Sequence, residues 1–225
     1  MTAHCLRAIY TQLLARYGPQ GWWPAESPFE VIVGAILTQS TNWQNVERAI
    51  ENLKKHNALT PEQLSKLPEE KLAELIRPAG YFRQKAKKLK AFVAHLYAHY
   101  DGDLRRMLAQ STKKLRAELL SIWGIGPETA DSILLYAAHK PVFVVDTYTR
   151  RIFSRLGLVS EKVSYEKLQG LFMQKLPRSA KLFNEYHALI VRHGKEICRP
   201  QPRCERCVLA HACQFYRRSS SALGR

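Results

Sequence analysis

Hydrophobic residues recur at helical spacing along nearly the whole chain and divide it into a series of amphipathic segments. The pattern predicts helices near residues 3–17, 28–39, 43–56, 61–66, 69–76, 83–97, 103–110, 113–122, 127–138, 147–157, 165–175 and 179–194. Ser27, Asn42 and Thr60 stand just before three of these segments and are predicted N-caps, because their side-chain oxygens accept first-turn N–H groups. No internal repeat is found. The predicted fold class is therefore all-α.

Two apolar stretches depart from the amphipathic pattern. Residues 29–39 are apolar almost all round, which predicts a buried central helix. Residues 141–145 form the one short run that could be a strand, but a buried connector explains it more economically. Cys5 lies on a helical apolar face and is predicted to be a core residue.

The charge balance points to a polyanionic partner. The 225 residues include 35 Lys and Arg against 19 Asp and Glu, a net charge of +16, which favours nucleic acid over a basic chain without such a partner. The basic segment 83–90 either contacts phosphates or is a solvated face. No secretory signal or membrane-spanning run is found, so we expect a soluble intracellular protein with no membrane partner.

A glycine pair separates the helices predicted at 113–122 and 127–138. Gly124 and Gly126 permit positive φ, so we expect a hairpin too tight for a Cβ atom at both ends. Pro127 follows at the first helical position, where a missing N–H is tolerated. The amides of that helix N-terminus predict a phosphate site, although such hairpins also serve as simple connectors.

Four of the five cysteines lie within the last 28 residues, spaced C-x5-C-x2-C-x5-C. They are Cys198, Cys204, Cys207 and Cys213. In a reducing compartment, clustered cysteines indicate metal ligands rather than disulfides. The spacing alone admits a zinc ion, a [4Fe-4S] cluster or no metal, and its five-residue gaps favour the compact cluster.

Residues 115–151 and 186–213 resemble, in this order, two motifs of the endonuclease III superfamily of helix-hairpin-helix DNA glycosylases. The resemblance covers about residues 25–215. It implies a two-lobed, all-α fold, with a six-helix lobe at 26–137 that contains the hairpin motif at about 113–138. Residues 1–25 and 138–225 would form the second lobe, which carries a [4Fe-4S] cluster on the four cysteines at 198–213.

Three positions depart from the endonuclease III pattern. Glu128 stands two residues after Gly126, where endonuclease III carries a lysine, and a carboxylate cannot form a Schiff base with deoxyribose C1′. Strand cleavage by β-lyase chemistry is therefore not expected unless another lysine substitutes. The first cysteine gap is one residue shorter than in endonuclease III, which shifts a loop without removing a ligand. Trp123 replaces the usual hairpin proline, which leaves the local hairpin conformation open.

The resemblance makes Asp146 the catalytic residue of a monofunctional glycosylase. Asp146 precedes the helix predicted at 147–157, where its carboxylate would accept backbone N–H groups and stay ionised. Such a carboxylate stabilises an oxocarbenium-like sugar and orients or activates the attacking water. The alternative is that Asp146 is only an N-cap.

The tryptophans resemble those of the 3-methyladenine DNA glycosylase branch of the superfamily. N3- and N7-alkylated purines are cationic, and an electron-rich aromatic slot selects them through stacking and cation–π attraction. Trp23 and Trp43 are the predicted walls of this base pocket, with Trp22 next, unless they are ordinary core residues. Glu128 is placed at the same pocket, or serves only as an acid in the first turn of its helix.

The DNA contacts are inferred from position within the motifs. Gln39 would fill the gap left by the extruded base and Tyr81 would wedge into the opposite strand, unless each is structural. Gly124, Ile125 and Gly126 would hold the DNA backbone. The expected partner is double-stranded DNA with damaged bases, bound by a monomer in the cytoplasm, near the nucleoid. Two alternatives remain, namely a glycosylase for mismatched or oxidised bases and a non-catalytic iron–sulfur DNA-binding protein.

Overall fold

Helices form the regular structure of this protein in the computed structural model, which describes the backbone of residues 2–223 and the side chains of residues 2–218. The α-helices are α1 (Ala3–Tyr17), α2 (Pro28–Leu37), α3 (Trp43–Lys55), α4 (Pro61–Lys66), α5 (Glu69–Leu75), α6 (Phe82–Tyr100), α7 (Leu104–Leu108), α8 (Thr112–Ser121), α9 (Pro127–Ser132), α10 (Thr147–Arg155), α11 (Tyr165–Lys175), α12 (Ala180–Glu196) and α13 (Gln214–Leu223). Short 3₁₀ segments cover Arg77–Ala79, Cys204–Arg206 and Ala210–Ala212, and α9 continues as a π-helix through Ile133–Ala137. No strand occurs in residues 2–223, which confirms the all-α class.

The chain divides into two compact units. One unit, Trp23–Lys140, contains α2 to α9. The other consists of Met1–Trp22 and Pro141–Arg225 and contains α1 and α10 to α13. Within the described part of the chain, no helix has the length and apolar character needed to cross a membrane.

Helix α2 is the core of the unit formed by Trp23–Lys140. All of its residues from Phe29 to Leu37 are buried, which confirms the predicted central helix. The Oγ atom of Ser27 accepts the N–H of Glu30 at 3.1 Å, as an N-cap should. The Glu30 carboxylate is buried as well, and the Nζ of Lys54 compensates its charge at 3.0 Å.

A buried lysine of α6 closes the C-terminal end of α2. Lys85 is only 2% exposed, and its Nζ donates to the carbonyl oxygens of Leu37 at 2.9 Å and Ala79 at 2.7 Å. Burial, reinforced by the charge of Lys88, lowers the pKa of Lys85 to about 8. The interpretation of segment 83–90 as a solvated or phosphate-binding face is therefore wrong for this residue, because its amine satisfies helix-end carbonyls instead.

Removing this amine should destabilise the protein. Lys85→Ala leaves two buried carbonyl oxygens without their donor, so we expect the free energy of unfolding to fall by about 3 kcal/mol. Lys87→Ala, at an exposed position of the same helix, is the matched control and should change it by less than about 0.5 kcal/mol. Urea denaturation followed by circular dichroism measures both values, and equal stabilities of the two variants would contradict the assignment.

The same comparison has a pH dependence. The folded pKa of Lys85, about 8, lies below its ordinary value of 10.5, so between these pH values the unfolded chain binds a proton that the folded chain has released. The free energy of unfolding then rises with pH for this group. The stability difference between the wild type and Lys85→Ala should therefore widen as the pH increases from 8 to 10.

A buried connector leads into α10 in the other unit. Residues 142–145 are all buried and form no strand, which confirms their prediction as a connector. Phe143 stacks on Phe172 with ring centroids 3.8 Å apart, and the side chain of Gln169 donates to the Phe143 carbonyl at 2.7 Å. A side chain thus satisfies a buried backbone carbonyl in a segment that has no strand to pair with.

The prediction of Cys5 as a core residue is wrong, since it is only half-buried.

Candidate functional site

The hairpin between α8 and α9 needs a glycine at one end only. Gly124 has φ +85°, and a Cβ atom there would collide with the side chain of Lys88. Gly126 has φ −93°, and a Cβ atom on it would meet nothing within 4 Å, so the expectation of a hairpin too tight at both ends is wrong there. Between them, Ile125 is buried and its N–H donates to the Ile122 carbonyl at 3.1 Å.

A bidentate ion pair joins the two helices of the hairpin. Arg116 of α8 donates from Nε and Nη2 to the two carboxylate oxygens of Asp131 in α9, at 2.7 and 3.1 Å. Asp131 is fully buried, so this pairing fixes the helices against each other. Glu128 is exposed in the first turn of α9, where a negative charge is favourable.

Gln39 lies against this hairpin. Its Nε2 donates to the Gly124 carbonyl at 3.3 Å and to the Thr129 hydroxyl at 2.9 Å, and Lys88 donates to its Oε1. The structure therefore brings together Gln39 and the glycine turn, which are 85 residues apart in the sequence.

Two large aromatic side chains of the same unit are more than half exposed. Tyr81 is 74% exposed and has φ +45°, a left-handed conformation unusual for a residue with a side chain. It follows Gly80, which has φ +67°. Trp123 of the hairpin is 57% exposed.

An aromatic cluster lies against α2 and the first residue of α3. The ring of Trp23 lies 5.2 Å from that of Trp43 at an interplanar angle of 85°, and 5.2 Å from that of Tyr136 at 54°. It rests on Gly34, where a Cβ atom would approach the indole to 3.0 Å. Trp43 donates from Nε1 to Glu47 at 2.6 Å. Tyr136 was not predicted, because it is one apolar position among several in its helix.

Trp22 belongs to the other unit. It lines a cavity of about 250 Å³ whose remaining walls are Gln20, Ala188, Val191, Arg192, Lys195 and Glu196. The structure thus groups Trp23 with Trp43, and it groups Trp22 with α12.

Asp146 is the N-cap of α10. Its Oδ1 accepts the Thr149 N–H at 2.7 Å and the Thr149 hydroxyl at 2.8 Å. Its Oδ2 lies 3.5 Å from Nε2 of His187, a residue of α12, and both side chains are about nine-tenths buried. His187 was not predicted, because its position in the sequence suggested only the approach to the cysteines.

The surroundings of Asp146 keep it ionised. Burial acts to raise the pKa of Asp146, but the His187 contact and then the Thr149 hydrogen bonds outweigh burial, so the pKa lies below its ordinary value. The carboxylate is therefore charged at neutral pH, as a group that stabilises positive charge must be.

Two arginines of α10 hold the loop that follows the first tail cysteine. Arg151 donates to the carbonyl oxygens of Cys198 at 2.7 Å and Gly194 at 2.9 Å. Arg155 donates to those of Arg199 at 2.6 Å and Pro200 at 2.8 Å. These contacts fix the start of the cysteine tail on α10.

The four tail thiols interact electrostatically. Burial first, and then the charges of Cys198, Cys213 and Cys204, raise the pKa of Cys207 to about 11, against a backbone hydrogen bond from Leu209 that lowers it. Nε2 of His193 lies 3.5 Å from the Cys207 sulfur, and Nδ1 of the same ring contacts the Tyr17 hydroxyl at 2.9 Å. Among the described residues, no three His, Cys, Asp or Glu side chains are grouped as ligands of a metal ion. As thiolates the four would repel one another, so chemically they form a donor set that suits a cationic iron–sulfur core.

The chain matches a known protein family. The family profile described as HhH-GPD superfamily base excision DNA repair protein matches residues 33–178. The chain belongs to this superfamily. The resemblance to the endonuclease III superfamily is thereby confirmed, and this HhH-GPD protein is a base excision repair DNA glycosylase whose partner is DNA.

Two proteins and one crystal structure are similar to this HhH-GPD protein over most of its length. A protein of Methanocaldococcus jannaschii, provisionally named a DNA repair glycosylase, is 50% identical over 207 residues, which cover 91% of this chain and 94% of the relative. Endonuclease III of Thermotoga maritima is 35% identical over 85% of this chain and 84% of its own length. The crystal structure of the H. pylori 3-methyladenine DNA glycosylase MagIII bound to 1,N6-ethenoadenine superposes with a TM-score of 0.75 at 29% identity, covering 87% of this chain and 98% of that one.

Proposed function

We propose that this glycosylase is monofunctional and hydrolyses the N-glycosidic bond of alkylated purines such as 3-methyladenine. The observation that carries the proposal is the aromatic cluster of Trp23, Trp43 and Tyr136. A cationic purine gains cation–π attraction to such rings, whereas a neutral purine gains only stacking. The attraction is worth about 2 kcal/mol at a desolvated site, which corresponds to a preference of roughly thirtyfold.

The chemistry of the leaving group agrees with this site. An N3- or N7-alkylated purine departs with the electron pair of the glycosidic bond and becomes neutral, so it needs no general acid. The similarity to H. pylori MagIII supports the same substrate class, since that protein is a 3-methyladenine DNA glycosylase. Glu128, exposed in the first turn of α9, would add a negative charge that favours a cationic base. Trp22, which lines the cavity beside α12, is left out of this pocket.

Catalysis is assigned to Asp146. Its ionised carboxylate would stabilise the positive charge that develops on the sugar as the base departs. Water then forms the new bond to C1′, and its proton passes through the carboxylate to solvent. No Schiff base forms, because the position that would supply the amine is Glu128.

DNA is proposed to contact the exposed features of the unit Trp23–Lys140. Gly124 and Gly126 would present backbone N–H groups to a phosphate, and Ile125, whose N–H is bonded to the Ile122 carbonyl, would hold the turn between them in shape. Gln39 would fill the gap left by the extruded base, and Tyr81 would wedge into the opposite strand. The exposure of Tyr81 and the contact of Gln39 with the hairpin support these roles.

The four tail cysteines are proposed to bind a [4Fe-4S] cluster. Cys198, Cys204, Cys207 and Cys213 would each supply one thiolate, and the cluster would supply the positive charge that holds the tail together. Arg151 and Arg155, which hold the first loop of the tail on α10, would keep this loop in place.

Product analysis tests the proposal. The purified protein is incubated with duplexes that contain 3-methyladenine, 7-methylguanine, an adenine or thymine mismatch, or an oxidised pyrimidine. We expect free methylated purine and an intact abasic strand, with no covalent adduct after borohydride treatment. Release of a mismatched or oxidised base instead, a borohydride-trapped adduct, or DNA binding without release of any base would overturn it.

The aromatic cluster can be tested separately. We expect Trp43→Ala to lower kcat/KM for 3-methyladenine release by about thirtyfold, because one ring face facing the cation is lost. Trp43→Phe keeps an aromatic face and should remain within about fivefold of the wild type. Single-turnover release of radiolabelled base measures both. Equal activity of the Ala variant and the wild type would exclude Trp43 from the base pocket.

A further inference from the structure

The two oxygens of Asp146 have different partners. Oδ1 accepts both hydrogen bonds of the N-cap, from the N–H and the hydroxyl of Thr149. Oδ2 takes no part in this cap and faces Nε2 of His187 at 3.5 Å. Capping and chemistry are thus assigned to different oxygens of one carboxylate.

His187 is buried and packs against the ring of Phe143. It lies on α12, the helix that packs most extensively against α10, and is only 7% exposed. The ring of Phe143, in the buried connector that leads to Asp146, meets the imidazole edge to face at 6.4 Å and 87°. A ring confined in this way presents Nε2 to Oδ2 in a fixed direction.

We propose that His187 is the positioning residue for Asp146, and that its Nε2–H group fixes the orientation of Oδ2 for base release. The inference rests on the proposed catalytic role of Asp146. It adds a residue of α12 that would act through Asp146 and not directly on the DNA.

The donor acts by fixing a direction. An Nε2–H group aimed at Oδ2 holds the plane of the carboxylate, and with it the position of the negative charge that stabilises the sugar. Removal of the donor would leave the carboxylate held through Oδ1 alone, so that Oδ2 could shift. A misplacement of about 1 Å costs roughly a hundredfold in rate in comparable sites.

The helices around Asp146 carry other ionisable groups. Burial, and after it the charge of Asp146, raises the pKa of Tyr148 in α10. Arg151 lies over the Tyr148 ring at 5.1 Å and donates toward the cysteine tail. The Tyr165 hydroxyl of α11 accepts the N–H of Val145 at 3.5 Å. Helix α13 meets α10 at the opposite end, where Phe215 packs on Arg155.

Matched substitutions test the inference on the full-length protein. His187→Phe keeps the aromatic packing on Phe143 but removes the donor, and His187→Gln keeps an N–H donor at similar reach. We expect the Phe variant to release 3-methyladenine about tenfold to a hundredfold more slowly under single-turnover conditions, and the Gln variant to stay within about threefold. DNA affinity should be unchanged in both. His187→Met, close to Gln in shape but without a donor, replaces the Phe variant if that protein does not fold.

The pH profile separates positioning from packing. Loss of the His187 contact removes a cause that lowers the pKa of Asp146, so the acid limb of base release should move to higher pH in the Phe or Met variant and stay in place in the Gln variant. Equal rates in the wild type and the donor-free variant would overturn the inference. Equal losses in the Gln and donor-free variants with an unmoved acid limb would do the same. If Asp146→Asn itself retains base release, the proposed function fails instead, whatever His187 does.

Discussion

Asp146→Asn should abolish base release and leave the protein folded and bound to DNA. The amide keeps an oxygen that can accept the Thr149 hydrogen bonds, and Asn is as good an N-cap as Asp, so α10 should form normally. What is lost is the negative charge that stabilises the oxocarbenium-like sugar. We expect the single-turnover rate to fall by about a thousandfold, or roughly 4 kcal/mol of transition-state stabilisation.

Another helix offers the matched control for this prediction. Asp103 caps α7 in the same manner and accepts the N–H groups of Arg105 at 2.9 Å and Arg106 at 3.2 Å. Asp103→Asn should change neither base release nor DNA affinity. Quenched-flow measurement of released 3-methyladenine, with binding measured by fluorescence anisotropy, compares the two variants. A rate for Asp146→Asn within tenfold of the wild type would mean that Asp146 is only a cap.

The second large effect is expected at the cysteine tail. Cys207→Ser removes one of the four proposed ligands, and we expect the iron content to fall from about four per chain to less than one, with loss of the visible absorption of the cluster. The unfolding temperature should drop as well, since a bound cluster contributes its binding free energy to the folded state. Iron and sulfide analysis together with thermal denaturation measures these changes.

Cys5→Ser is the control for the cysteine prediction. Cys5 lies in α1, outside the tail, and is half-buried, so its replacement should leave the iron content unchanged. Full iron content in Cys207→Ser, or one zinc ion per chain in the wild type, would contradict the proposed cluster.

Features that depend on neighbouring residues could be predicted from the sequence. Ser27, Asn42 and Thr60 are N-caps whose side-chain oxygens accept the N–H three residues later, as predicted. Each depends only on one polar side chain and the turn that follows it. The buried connector before Asp146 was likewise evident from its apolar composition.

Features that depend on distant residues could not be predicted. Lys85 was assigned to a charged face, but its amine reaches a carbonyl 48 residues away. The position of Tyr136 beside Trp23 depends on how α2 packs on the π-helix Ile133–Ala137. His187 meets Asp146 only because α12 packs on α10. Local pattern gives the residue type and its face, and only tertiary packing gives its partner.

The ring of Tyr81 projects into solvent from a bend whose backbone is fixed by hydrogen bonds. Lys85 anchors this bend on both sides. Its backbone N–H donates to the Tyr81 carbonyl at 3.0 Å, and its side-chain amine donates to the Ala79 carbonyl at 2.7 Å. The folding free energy therefore offsets the strain of the left-handed tyrosine, about 1 kcal/mol, before any ligand binds. A ligand that touches the phenol ring finds it preorganised and loses little affinity to the ordering of that loop.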